Sequence, residues 1–258
     1  NGISTNYASW NWKAGTTSGM TQGGASITPT GYSFNQTSGF SIIKYTGTGS
    51  NATVPHGLGK VPKMIIARNI TDAEQWTTYH VGLDDSSPED YHVRLNTTDG
   101  RVDEASVWND TAPTANVFSV GSSGAPNGSG DNHIAYCFAE IQGYSKIGSY
   151  RGTGDIDGPF IYTGFKPAFL LTKERSSGTG HWRLRDNKRF DQHNPIDKVL
   201  RPNTSEAEID EDDVDFLSNG FKIRTTGGEN NGTDDRYLYI AFAAAPLVGS
   251  NNVPCTAR

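Results

Sequence analysis

Val54-Pro-His-Gly-Leu-Gly-Lys-Val-Pro-Lys-Met-Ile-Ile-Ala-Arg-Asn69 joins a glycine turn to a short apolar run. Gly57 and Gly59 permit backbone angles closed to other residues. Pro62 fixes its own φ and pushes Val61 toward extended geometry. Met64-Ile-Ile-Ala67 is too short for a helix and is bounded by turn residues, so it reads as a buried strand. The construction returns as Tyr162-Thr-Gly-Phe-Lys-Pro-Ala-Phe-Leu-Leu-Thr-Lys173, with Pro167 standing 105 residues after Pro62. The chain therefore reads as an internal duplication.

Segments on either side keep the period. Gly39-Phe-Ser-Ile-Ile-Lys-Tyr-Thr-Gly-Thr-Gly49 answers Gly143-Tyr-Ser-Lys-Ile-Gly-Ser-Tyr-Arg-Gly-Thr-Gly154. Strands carrying Trp76 and Trp182 come next, then Asn116-Val-Phe-Ser-Val120 against Gly220-Phe-Lys-Ile-Arg224. Ile134-Ala-Tyr-Cys-Phe-Ala-Glu140 and Leu238-Tyr-Ile-Ala-Phe-Ala-Ala244 close the two copies as alternating aromatic strands. A period of about 104 residues is too long for a solenoid repeat and fits a small β-domain. The expected fold is all-β: two tandem antiparallel β-sandwich-like domains, residues 39–142 and 143–246, with a C-terminal tail at 247–258.

Tyr7-Ala-Ser-Trp-Asn-Trp-Lys-Ala14 resembles the two closing strands. It is expected to be a strand with Trp10 and Trp12 on one face, closing an earlier copy whose body would lie upstream. Residues 15–38 read as a connector with one weak strand at Tyr32–Phe34, so 1–38 stand as closing strand plus linker. The best helix candidate is Ser205–Asp215, with Ser205 as N-cap.

Composition narrows the function. The chain has 30 Gly and 12 Pro and a charged fraction of only 19%, the profile of a turn-rich β-protein. Net charge is −6, which argues against a nucleic-acid phosphate binder. No apolar run is long enough to cross a bilayer as a helix. Cys137 lies in a strand and Cys255 in a polar tail, so no disulfide framework is visible. Eight Asn-x-Ser/Thr triplets occur, as a chain rich in Asn, Ser and Thr produces by chance.

No nucleophile elbow, zincin helix or phosphate loop is present. His80 and His92 flank a loop with Asp84 and Asp85, a weak metal pattern better read as surface residues. The acids at Asp210–Asp215 read as a solvated turn rather than a calcium loop, and Asp155 with Asp157 likewise. The expectation is no catalytic residue, no metal and no cofactor. Trp76 and Trp182 recur in both copies and read as core plugs. Trp108 has no counterpart and sits among turn residues, so Trp108, Asn109 and Asp110 are the candidate glycan contact: a ring to stack on a sugar and polar groups to bind its hydroxyls.

His56-Gly-Leu-Gly-Lys-Val-Pro-Lys-Met-Ile65 resembles a motif of bacteriophage tail-fibre and virion-appendage proteins. Tyr45-Thr-Gly-Thr-Gly49, Trp108-Asn-Asp-Thr-Ala-Pro113, Gly158-Pro-Phe-Ile-Tyr-Thr-Gly-Phe165 and Phe216-Leu-Ser-Asn-Gly-Phe-Lys-Ile223 widen the likeness to a β-domain family of marine and cyanobacterial phage structural proteins. The second copy lacks the His-Gly-Leu-Gly form. The resemblance implies a non-enzymatic virion component, a tail fibre, appendage or capsid-decorating module. It would be located on the particle surface as a homo-oligomer, a trimer by preference, with other virion proteins and a host glycan as partners. Neither nucleic acid nor membrane is expected as a partner. The alternative is a secreted carbohydrate-binding or carbohydrate-cleaving protein.

Overall fold

The computed structural model describes residues 8–176, 179–189 and 193–243. In the first half the strands are β1 (Gly31–Asn35), β2 (Phe40–Thr46), β3 (Ala52–Pro55), β4 (Met64–Asn69), β5 (Thr77–His80), β6 (Tyr91–Arg94), β7 (Val102–Asp103), β8 (Val117–Val120) and β9 (Asn132–Phe138). The second half has β10 (Ser145–Arg151), β11 (Phe160–Tyr162), β12 (Pro167–Glu174), β13 (Arg183–Asp186), β14 (Ile196–Val199), β15 (Ile209–Leu217), β16 (Gly220–Ile223) and β17 (Arg236–Ala243). Single helical turns α1 (Ala105–Trp108), α2 (Gly124–Asn127) and α3 (Gly228–Asn231) lie in the loops.

The fold is all-β and antiparallel throughout its paired strands. One sheet runs β1-β2-β9-β4-β5-β6-β7, a second β10-β17-β12-β13, a third β11-β16-β15-β14, and β3 pairs β8. The same order recurs in each half. The opening strand pairs with the closing strand, and the closing strand with the Pro-initiated strand. That strand then pairs with the one following the tryptophan: β2-β9-β4-β5 against β10-β17-β12-β13.

Three cores separate four layers. The β3–β8 pair packs on the large sheet through Val54, Phe118, Tyr45, Ile65 and Cys137. The β11–β14 sheet packs on the second sheet through Ile161, Phe221, Leu170, Tyr237 and Tyr239. Between the two main sheets lies a shared core of Met64, Leu83 and Val93 from one half with Phe169, Leu171, Leu238, Ile240 and Phe242 from the other. Alternation explains the arrangement. In β17, Tyr237, Tyr239 and Ala241 face one core while Leu238, Ile240 and Phe242 face the other. Each large apolar side chain so buried contributes about 1.5–3 kcal/mol. The halves are therefore not beads on a linker; they close on each other's sheets.

A loop clasp recurs at the far end of each half. Tyr45 Oη donates to Pro126 O at 2.6 Å, and Tyr150 Oη donates to Asn230 O at 3.0 Å. Asn127 Oδ1 accepts from Thr48 N and its Nδ2 donates to Ser50 O and Gly121 O. Asn231 repeats this with Thr153 N, Asp155 O and Thr225 O. A Cβ on Gly47 would come 2.2 Å from Gly128 O, and one on Gly152 2.2 Å from Gly232 O, so both loops require glycine. The buried amides of Asn127 and Asn231 are thus committed to the fold, although both head Asn-x-Ser/Thr triplets.

Several expectations are corrected. Residues 8–14 form no strand, and Tyr7 lies outside the described residues. Trp10 and Trp12 do share a direction, but their rings dock on the shared aromatic layer instead of joining a ladder. Trp12 lies 5.4 Å from Phe169 and 5.2 Å from Phe242, Trp10 6.0 Å from Phe169. The stretch 15–38 is more than a connector: Met20 and Ile27 are buried in the first core, and the expected weak strand is β1. Ser205–Asp215 is not a helix, because Ile209–Leu217 forms β15 and its alternate side chains Val214 and Phe216 fill a core. Trp182 is a core plug, but Trp76 is only half-buried, under the Arg68 guanidinium at 5.0 Å. Cys137 is a free, buried thiol; Cys255 and the tail 247–258 lie outside the described residues.

Candidate functional site

Trp108 ends the single turn α1, and Asn109 and Asp110 follow with positive φ of 55° and 42°. That tight reversal turns the indole inward. Trp108 is only 2% exposed and meets Tyr79 and Phe118 edge-on, at 6.3 and 6.4 Å. The expected solvent-facing ring is therefore a core plug in the first sandwich, unable to stack on a sugar. Asp110 is exposed, while the Asn109 carboxamide is tied to Asn51. The three residues do not form a common surface.

His56, His80 and His92 are buried in the architecture. Leu58 N donates to His56 Nδ1, and His56 Nε2 lies 3.1 Å from Thr114 O. Gly82 N donates to His80 Nδ1, and His80 Nε2 lies 3.1 Å from Tyr239 O, across the seam between halves. An Nδ1 that accepts leaves the proton on Nε2 to reach the carbonyl. Burial pushes both rings down to about 4. His92 is buried and lowered by burial as well, so His80 and His92 are not the surface pair expected. Asp84 instead pairs with Arg101 at 2.5 Å, and Asp85 reaches Arg175 and Arg236 across the seam. Among the described residues no three His, Cys, Asp or Glu side chains are arranged to hold a metal ion.

The acids at 210–215 do something the sequence reading missed. Their alternation along β15 sends Glu211 and Asp213 toward Arg183 and Arg185 of β13. Arg185 Nη2 donates to both Asp213 oxygens at 2.6 Å, and Asn230 donates to the same carboxylate. Glu211 and Glu229 pair with Arg183, and Arg201 lies 3.7 Å from both. Glu206 lies 3.1 Å from Arg201 as well, so three arginines face four carboxylates, and Arg185 Nε and Nη1 remain without a hydrogen-bond partner. The readable signal was two strands with complementary period-two charge, Arg183/Arg185 and Glu211/Asp213. Asp157 is likewise consumed, by Lys222 at 2.9 Å and Arg224 at 3.7 Å.

One groove combines rings with polar side chains. It has a volume of about 560 Å³ and is lined by Trp10, Trp12, Tyr144, Phe169, Asp186 and Arg189, at the seam between the halves. The Arg189 guanidinium lies 5.6 Å over the Trp10 ring and is paired with Asp186 at 2.6 Å.

A family profile described as a domain of unknown function, DUF7483, matches residues 1–246. The chain belongs to the DUF7483 family. No curated protein and no solved structure matches it. The matched DUF7483 span takes in both halves and the N-terminal segment together, the same residues that build the shared core and the Trp10–Trp12 groove. Among the described residues of this DUF7483 chain no helix is long and apolar enough to cross a membrane.

Proposed function

We propose that this DUF7483 chain is a non-enzymatic structural component of a bacteriophage particle, built by internal duplication and working as an oligomer on the particle surface. One observation carries the non-catalytic part. The groups that would move protons or charge are spent inside the architecture: His56 and His80 on backbone atoms, Arg183 and Arg185 on carboxylates. The recurring strand order supports the duplication. The likeness of Tyr45–Gly49, Gly158–Phe165 and Phe216–Ile223 to phage structural proteins supports the virion location. A net charge of −6 fits contacts with proteins rather than nucleic acid. The test is peptide mass spectrometry of density-purified particles with immunogold microscopy. Stoichiometric recovery with the mature particle supports the proposal; presence only in the soluble lysate overturns it.

A second reading, carbohydrate binding, is favoured by the Trp10–Trp12 groove, where rings stand beside Asp186 and Asn187. Saccharide binding lost in Trp10→Ala while the melting temperature is kept would support it. A parent protein silent on a glycan array would remove it.

A further inference from the structure

The two halves differ in what covers their edges. In the first half the N-terminal segment wraps the sandwich. Ile27 N donates to Thr53 O at 3.0 Å, and Thr53 N donates to Ser26 Oγ at 2.8 Å, so both outward backbone groups of Thr53 on β3 are taken. Ile27 is buried there, 5% exposed. Farther along, β1 pairs along the outer side of β2.

The matching strand of the second half is β11. Both strands follow the opening strand and its glycine turn, and both pair with the strand that begins the return to the closing strand. Val54 stands opposite Phe118, as Ile161 stands opposite Phe221. Thr53 therefore corresponds to Phe160, and Pro55 to Tyr162. Yet β11 is the last strand of its sheet. Among the described residues no backbone hydrogen bond joins it to a segment on its outer side. Two of its apolar residues are open, Phe160 at 45% and Tyr162 at 63%, with Ile161 turned into the core; Ile156, in the turn before the strand, is 63% exposed. The Phe160 ring is spread over Gly220, where an added Cβ would come within 2.8 Å of it.

We propose that the outer edge of β11 is a docking site for an extended strand from another polypeptide, a short hydroxyl residue followed by a β-branched aliphatic one. The first half displays the occupant. Ser26-Ile27 satisfies the equivalent edge in cis, whereas only Ala139–Tyr144 separate β9 from β10, too few residues to reach back over β11. An unpaired edge with exposed rings is a template for strand addition: the backbone supplies affinity and alternate side chains supply selectivity. Phe160 and Tyr162, on one face of β11, would flank the incoming strand. The inference needs only the edge geometry and stands independently of the virion assignment.

The test uses the full chain and a dye-labelled peptide, Gly19–Thr30 of the same sequence. The cis edge on β3 is already filled, so specific uptake reports β11. Fluorescence anisotropy is expected to give saturable binding. It should weaken by about tenfold or more in the double variant Phe160→Lys, Tyr162→Lys, which places charge on an exposed edge. Circular dichroism and melting of the variant should match the parent, because both positions are exposed. No saturable binding overturns the proposal, as does binding equal in parent and variant, which would mean displacement of the cis segment. Glycan-array binding lost in the variant, without peptide binding, overturns it in favour of a saccharide surface.

Discussion

His56 and His80 are held in the same way, ring nitrogens shared between the amide two residues on and a carbonyl from another segment. Burial lowers both to about 4 in the folded chain, against about 6.5 when unfolded. Between those values the unfolded state binds more protons, so stability rises with pH. The contribution is complete above about pH 6.5 and is lost as pH falls toward 4, on the order of 3 kcal/mol for each ring. Urea midpoints measured from pH 8 down to pH 4.5 should fall accordingly, and the double variant His56→Asn, His80→Asn should flatten the slope. A parent midpoint independent of pH would contradict the buried neutral rings. At the same scale, Trp108→Ala removes a core ring rather than a ligand contact. It should cost about 3–5 kcal/mol in a denaturant titration; a loss below about 0.5 kcal/mol, the value for exposed positions, would return the ring to the surface.

At the scale of elements, β13 and β15 carry charge where the first half carries rings. Thr77-Thr-Tyr79 follows Trp76 as Arg183-Leu-Arg185 follows Trp182. Tyr79 meets Trp108, whereas Arg185 meets Asp213. Removing one partner leaves an uncompensated buried charge, so Asp213→Ala should cost about 3–5 kcal/mol. Replacing both, Asp213→Leu with Arg185→Leu, should recover part of that loss because the pair's desolvation cost goes with it. Thermal melts of the single and double variants decide it: a double variant as weak as the sum of two independent losses would mean the groups do not act as a pair. The strand elements themselves were legible, since Gly, Pro and alternating apolar residues act locally. The β15 strand was not, because four consecutive acids, Asp210 to Asp213, carry no apolar alternation of their own. They are drawn into a strand by arginines on another one.

At the scale of the molecule, the shared core makes the stack one folding unit. Met64, Leu83 and Val93 pack against Phe169, Ile240 and Phe242, and Trp182 Nε1 donates to Arg94 O across the seam at 2.9 Å. Differential scanning calorimetry should therefore give a single transition, with calorimetric and van't Hoff enthalpies equal. Two resolved transitions, or a stable isolated 143–243 fragment, would show that each half is self-sufficient. Phe242→Asp, placing a charge in that core, should lower stability in both halves at once, read as loss of all near-ultraviolet signal in one step.

By itself the sequence determined most of the strands, their repeating order and the glycine turns that end β2 and β10. These follow from backbone freedom at Gly47 and Gly152 and from side-chain alternation in β9 and β17, which are properties of neighbouring residues. Tertiary structure decided which face each side chain meets. Trp108 and Trp10 look alike in sequence, aromatic residues among polar ones, yet one is sealed between sheets and the other lies in an open groove. Only the layer opposite settles burial, because the apolar surface of a strand is removed from water by whatever packs on it and not by the strand itself. The same holds for edges. Thr53 and Phe160 occupy matching strands, and what separates a closed edge from an open one is the segment Ser26-Ile27, which has no counterpart on β11 among the described residues.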